Sequence, residues 1–152
     1  METPILIIAI GNDSRGDDAL APILVRRMQN LDNAEVEIIE DYQLQVEHVT
    51  DLVGRSAVLF VDADVSCDSP FHFSQITAAH DNSYTSHAMS PTALLHAYRL
   101  VYGSDAPPSH LLRIRGYGFE LGDDLSDEAT ANLEQAARMI GTWLADIRVV
   151  EE

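Results

Sequence analysis

Several side chains that could do chemistry follow the ends of predicted strands. Asp17 and Asp18 lie in "RGDD", a few residues after the apolar run at residues 4–10, and Asp62 closes the apolar core of a second run, "SAVLFVDAD". His87 stands shortly before Ser90, where the pair Ser-Pro predicts the start of a helix. Ligands of parallel α/β sheets bind outside the carboxyl ends of the strands. We therefore expect these side chains to gather at one edge of a sheet.

A set of aspartate and histidine ligands mixes oxygen and nitrogen donors. Such a set suits a borderline first-row ion such as zinc or nickel, whereas oxygen donors alone would indicate magnesium or calcium. Three protein ligands would also leave coordination positions open for substrate or water. The same edge collects further acidic residues, and this much negative charge requires a cation such as Arg15 or a metal ion. These additional acids are Asp13, Asp64, Asp68, Glu120, Asp123 and Asp124.

Simpler structural roles compete with these interpretations. Asp17 and Asp18 could stabilise the first turn of a helix by about 0.3–1 kcal/mol each. Asp123 and Asp124 precede the last predicted helix, and we expect them to cap it. Cys67 is a weak candidate for a nucleophile, because no histidine is paired with it in the sequence. The buried strand end at Asp62 is the hardest to explain without a function, since an unpartnered buried carboxylate is costly.

Composition restricts the class of protein. The chain has 152 residues, 25 of them acidic and nine basic, all nine being arginine, for a formal charge of −16. That charge argues against nucleic acid and against an anionic membrane surface as partners. A single cysteine excludes a disulfide framework, and the sequence predicts neither an export signal nor a membrane span. We expect a single cytoplasmic domain spanning residues 1–152.

Apolar runs alternate with helical patterns along the chain. Strands are predicted at residues 4–10, 35–41, 56–64, 71–78 and 110–119. Helices are predicted up to about residue 30, over 45–53, from Ser90-Pro91 to Tyr102, and from Ser126 onward. This alternation predicts a three-layer α/β/α sandwich around a mostly parallel twisted sheet of about five strands.

Three segments resemble the signature segments of the hydrogenase maturation endopeptidases. They are "GNDSRGDDALAPIL", "VLFVDAD" and "TSHAMSPTALL", and they occur in the same order over nearly the whole chain. Members of that family remove a C-terminal extension from the large subunit of nickel-iron hydrogenases after nickel has been inserted. Many members carry a glycine-rich stretch after the second strand, whereas this chain has "EDYQLQVEHVTDL" there. Substrate contacts in this segment would fall to Gln43, Gln45 and Glu47, unless these are turn and cap residues.

The resemblance implies a site and a substrate. The family's metal-binding trio corresponds to Asp18, Asp62 and His87, which would also be the catalytic residues. The partner would be a hydrogenase large-subunit precursor, and nickel would be carried by that precursor. Zinc or another divalent ion is an alternative in the free enzyme, which we expect to be a monomer.

Other functions fit the sequence less well. A receiver domain needs a lysine after its fifth strand, which this chain lacks, and its acidic pair adjoins the first strand directly. A nucleotide-binding domain needs a glycine-rich phosphate loop, and neither GxGxxG nor a P-loop lysine is present. A docking chaperone that holds the precursor without cutting it remains open.

Overall fold

A five-stranded sheet organises the chain. The computed structural model describes residues 4–29, 35–80 and 89–151, with the side chains of 148–151 left out. The strands are β1 (Ile5–Ile10), β2 (Val36–Asp41), β3 (Ala57–Asp64), β4 (Phe71–Ile76) and β5 (Ser109–Arg115). Their spatial order is β2-β1-β3-β5-β4. Every pairing is parallel except that of β4 with β5, which makes β4 an antiparallel edge strand.

Helices cover both faces of the sheet. The α-helices are α1 (Leu20–Gln29), α2 (Pro91–Tyr102) and α3 (Asp127–Glu151), and 3-10 helices span Gly16–Ala19 and Val46–Leu52. Successive strand residues point to opposite faces, so Ile5 and Ile7 of β1 pack with α1 and α3. Leu6 and Ile8 pack on the other face, with α2 and the second 3-10 helix. The predicted α/β/α sandwich with a mostly parallel sheet is confirmed.

Helix starts and ends agree with the sequence in most places. Ser90 caps α2 by accepting a hydrogen bond from the backbone N–H of Ala93 at 3.1 Å, and Pro91 takes the first helical position, as predicted. The segment predicted as a helix over 45–53 is a 3-10 helix. No helix in the described ranges is long and apolar enough to cross a bilayer.

Two predictions near the end of β5 were wrong. The strand ends at Arg115 and not at residue 119, because Gly116 makes the last bond to β3 and the backbone from Tyr117 onward bonds the loop after β1. The cap of α3 is Ser126, whose hydroxyl accepts from the N–H of Ala129 at 3.2 Å. Asp123 and Asp124 are exposed residues of the preceding loop and do not cap the helix.

Candidate active site

The carboxyl ends of β1 and β3 bring Asp18 close to Asp62. Ile10 and Asp62 are direct partners in the parallel ladder, so the loop after β1 begins beside Asp62. Gly11 follows at once, and a Cβ atom there would overlap the backbone carbonyl oxygen of Asp18. Only glycine permits this approach, which folds the loop back over the strand end. The carboxylate of Asp18 then accepts a hydrogen bond from the backbone N–H of Asn12 at 2.9 Å.

Asp62 holds a proton far more tightly than an ordinary aspartate. Burial is the largest cause, and the negative charges of Asp18 and Asp64 add to it, while a hydrogen bond from the N–H of Ala63 opposes it. Together they raise the pKa of Asp62 from 3.8 to about 7. Burial also raises the pKa of Asp18, against the N–H of Asn12 and the charge of Arg15. Near pH 7 the Asp62 carboxyl can therefore both take up and release a proton.

Nearby arginines do not neutralise this pair. Within the described part of the chain, neither Asp18 nor Asp62 has an ion-pair partner, and Arg15 acts on Asp18 only through its charge. Arg113 is engaged by Asp64, with 2.9 Å between its Nη1 and the carboxylate Oδ2. Burial alone would raise the pKa of Asp64, but hydrogen bonds from Ser66 and Arg113 lower it overall. Asp64 is thus a paired structural carboxylate, and Asp62 is not.

Asp17 has a different role from its neighbour. Its carboxylate is completely buried and accepts hydrogen bonds from the backbone N–H groups of Tyr117 (2.7 Å), Gly118 (3.2 Å) and Ser126 (2.8 Å). The hydroxyl of Ser126 donates a fourth, at 2.8 Å. Burial opposes ionisation, but these bonds lower the pKa of Asp17. Helix capping was therefore the wrong structural interpretation of Asp17, since all four donors belong to a distant loop.

His87, the third predicted site residue, lies outside the described residues. Among the residues that are described, no three His, Cys, Asp or Glu side chains converge where they could hold a metal ion. The structure therefore brings two of the predicted residues, Asp18 and Asp62, to one edge of the sheet.

The other candidates at this edge are occupied or exposed. Asp13 pairs with Arg26 at 3.0 Å, and the same arginine binds Glu40 of β2. Cys67 is buried, and burial, the largest cause, raises the pKa of its thiol, which disfavours the thiolate that a nucleophile needs. The remaining rim acids are exposed: Asp68, Glu120, Asp123 and Asp124.

Sequence reasoning missed a groove between α2 and the second 3-10 helix. Its volume is about 600 Å³. A single antiparallel bridge joins Leu44 to Met89 at its wall, with 3.3 Å between the Met89 nitrogen and the Leu44 oxygen. The groove could not be predicted because its two walls are far apart in sequence, and only tertiary packing sets their separation. It is lined by Leu44, Gln45, Val46, Glu47, His80, Met89, Ala93, His96, Ala97 and Leu100.

The segment "EDYQLQVEHVTDL", which lacks the expected glycines, is held mainly by hydrogen bonds among its own residues. The backbone N–H of Gln45 donates to Nδ1 of His48 at 2.9 Å, and Nε2 of that histidine lies 3.3 Å from a carboxylate oxygen of Asp41. His48 is buried and forms a capping box with Gln45, the N-cap of the 3-10 helix, while Gln45 and Glu47 also line the groove. Gln43 does not line the groove.

Solved structures share this fold. The hydrogenase maturating endopeptidase HybD from E. coli aligns with a TM-score of 0.74 at 21% identity, over 96% of this chain and 93% of its own. The [NiFe] hydrogenase maturation protease HycI from Thermococcus kodakarensis aligns with a TM-score of 0.69 at 23% identity, over 91% and 90%. A hydrogenase 2 maturation peptidase from a Thaumarchaeota archaeon gives 0.67 at 19%, over 93% and 97%. No protein-family model and no curated protein sequence matches the chain. The chain therefore has the fold of the hydrogenase maturation endopeptidases.

Proposed function

We propose that this protein is an endopeptidase that removes the C-terminal extension of a nickel-iron hydrogenase large-subunit precursor after nickel insertion. The observation that carries the proposal is a pair of partly buried carboxylates without an ion-pair partner among the described residues: Asp62 near the end of β3, and Asp18 in the 3-10 helix that follows the adjacent strand β1. Leaving two such acids uncompensated is costly, which is typical of a site that receives a cation. The fold that this chain shares with the hydrogenase maturation proteases supports a hydrogenase precursor as the substrate.

The donor set suits the nickel ion of the precursor. Asp18 and Asp62 supply carboxylate oxygens, and His87, the third proposed ligand, adds an imidazole nitrogen; mixed donors of this kind bind borderline ions. In this proposal the three side chains complete the coordination of a nickel ion that the substrate carries, so only a loaded precursor docks productively. Zinc or another divalent ion bound by the free enzyme would use the same residues and would polarise the scissile carbonyl.

Asp62 is the described group best suited to transfer the proton. In its ionised form it takes a proton from the attacking water while the oxygen bonds to the scissile carbonyl carbon. The protonated carboxyl then gives that proton to the leaving nitrogen as the C–N bond breaks. In the metal-free protein a pKa of about 7 makes both directions accessible at neutral pH, and a cation bound beside Asp62 would favour the ionised form that accepts the proton from water. Burial is the main cause of this high pKa and the charge of Asp18 adds to it, and Asp18 would also help to hold a cation bound beside Asp62.

The test is a processing assay on purified precursor in nickel-loaded and nickel-free forms. Mass spectrometry should detect a released C-terminal peptide from the loaded precursor only. Equal cleavage of both forms would rule out recognition through nickel. Stable binding of the loaded precursor without any released peptide would instead favour the docking chaperone.

A further inference from the structure

Asp17 makes its hydrogen bonds far from its own position in the chain. Its four donors belong to Tyr117, Gly118 and Ser126, which are 100 to 109 positions away. All hydrogen-bond donors to this carboxylate lie outside its own 3-10 helix. The side chain therefore joins the loop after β1 to the loop after β5, and local helix stability does not explain it.

Backbone contacts join the same two loops along their length. The N–H of Asp17 donates to the carbonyl of Gly118 at 2.8 Å, that of Gly16 to Asp123 at 3.2 Å, and that of Gly122 to Ser14 at 2.8 Å. Gly16 has a φ of +53°, and a Cβ atom there would overlap the Gly118 carbonyl oxygen, so glycine is required for the close approach. Residues 14–17 and 116–126 thus pack as one unit.

The first segment of this unit ends directly before Asp18, a residue of the site. The next residue, Asp18, has a backbone carbonyl against Gly11 and a carboxylate near Asp62, so a displacement of Asp17 passes directly into the site. We propose that Asp17 is a positioning residue, which fixes the separation of the Asp18 and Asp62 carboxylates through its four hydrogen bonds to the 116–126 loop. The inference rests on the proposed function, because it assigns Asp17 to the same site.

Asp17→Asn is the informative variant because it keeps the shape of the side chain. An amide offers one oxygen acceptor, and its NH₂ group would face backbone N–H donors that cannot accept. We expect the crystal structure of the variant to show the Asp18 carboxylate displaced from Asp62 by about 1 Å, an error large enough to cost up to 100-fold in rate. Processing of the loaded precursor should show a fall in kcat of about 10- to 100-fold with KM nearly unchanged, as for other residues that orient a metal-site ligand.

A matched control separates positioning from stability. Leu133→Ala removes a fully buried side chain of α3 that does not bond Asp17, so it should lower Tm at least as much and leave kcat unchanged. If Asp17→Asn does not fold, Ser126→Ala removes one of the four donors and should give a smaller fall in kcat. An undisplaced Asp18, or an equal loss of kcat in Leu133→Ala, would overturn the positioning role.

Asp18→Asn distinguishes a failure of the inference about Asp17 from a failure of the proposed function. Loss of processing in Asp18→Asn together with full processing in Asp17→Asn overturns the inference about Asp17 and leaves the proposed function intact. Full processing in Asp18→Asn overturns the proposed function and, with it, the inference.

Discussion

Replacing Asp62 by asparagine should stabilise the protein at alkaline pH while abolishing its activity. In the unfolded chain this carboxyl has its ordinary pKa of 3.8, and folding raises the pKa to about 7. Because the folded state binds the proton more tightly, stability is lost as the pH rises between these two values. Well above pH 7 the carboxyl is ionised in both states, and the raised pKa then lowers the free energy of unfolding by about 4 kcal/mol relative to a protonated Asp62. Asparagine has the same shape and carries no charge at any pH.

The magnitude follows from the protonation of the two states. From pH 5 to pH 8 the wild type should lose about 2.5 kcal/mol through Asp62, and solvent at the exposed part of the carboxyl reduces this to about 1.5–2.5 kcal/mol. The stability of Asp62→Asn relative to wild type should therefore increase by that amount between the two pH values. Contributions of all other titrating groups cancel in the comparison unless they couple to Asp62, as Asp18 and Asp64 do.

The assay is urea unfolding of the metal-free protein, in the presence of a chelator, at pH 5 and pH 8. Asp124→Asn is the matched control, since it removes one exposed charge from the same edge of the sheet and should show no such change with pH. A stability difference between Asp62→Asn and wild type that is the same at both pH values would refute the reasoning, because it would mean that folding leaves the pKa of Asp62 unchanged.

Four further outcomes are expected. In Asp18→Asn the pKa of Asp62, followed by carbon-13 NMR of its carboxyl, should fall because a neighbouring negative charge is lost. An unchanged pKa would mean that the charge of Asp18 does not act on Asp62. Ser126→Ala should cost about 1–2 kcal/mol in urea unfolding, because it removes a helix cap and a bond to a buried carboxylate; a loss below about 0.5 kcal/mol would contradict this. Gly11→Ala should destabilise by more than about 2 kcal/mol, since its Cβ would overlap backbone and not a movable side chain; a near-neutral effect on Tm would disprove the close packing. Cys67 should resist alkylation in the native state, and thiol reagents should leave processing intact; rapid labelling would contradict its burial.

The sheet was predictable because each of its central strands has a local sequence pattern that is typical of a strand. The runs around Ile7 and Leu59 are apolar without interruption, as expected of strands buried on both faces, and Ser90-Pro91 marks a helix start by its chemistry alone. Carboxyl ends of parallel strands meet at one edge, so the approach of Asp18 to Asp62 followed from topology.

The different roles of the two adjacent aspartates could not be predicted from local patterns. Asp17 bonds residues 100 to 109 positions away, and such contacts exist only after β5 and α3 have packed. The same contacts end β5 at Arg115 and make Ser126 the helix cap, which is why the sequence placed the strand end and the cap wrongly. The high pKa of Asp62 likewise depends on its burial in the folded chain and, to a smaller extent, on the approach of Asp18 and Asp64.

The central claim is that Asp18 and Asp62 together form the active site of a maturation protease. The most direct measurement is the intact mass of a nickel-loaded large-subunit precursor after incubation with wild type, Asp18→Asn, Asp62→Asn and the control Asp124→Asn. We predict a precursor shortened at its C-terminus with wild type and with Asp124→Asn, and an unchanged mass with the other two variants. A shortened precursor in all four reactions would contradict the assignment of the site.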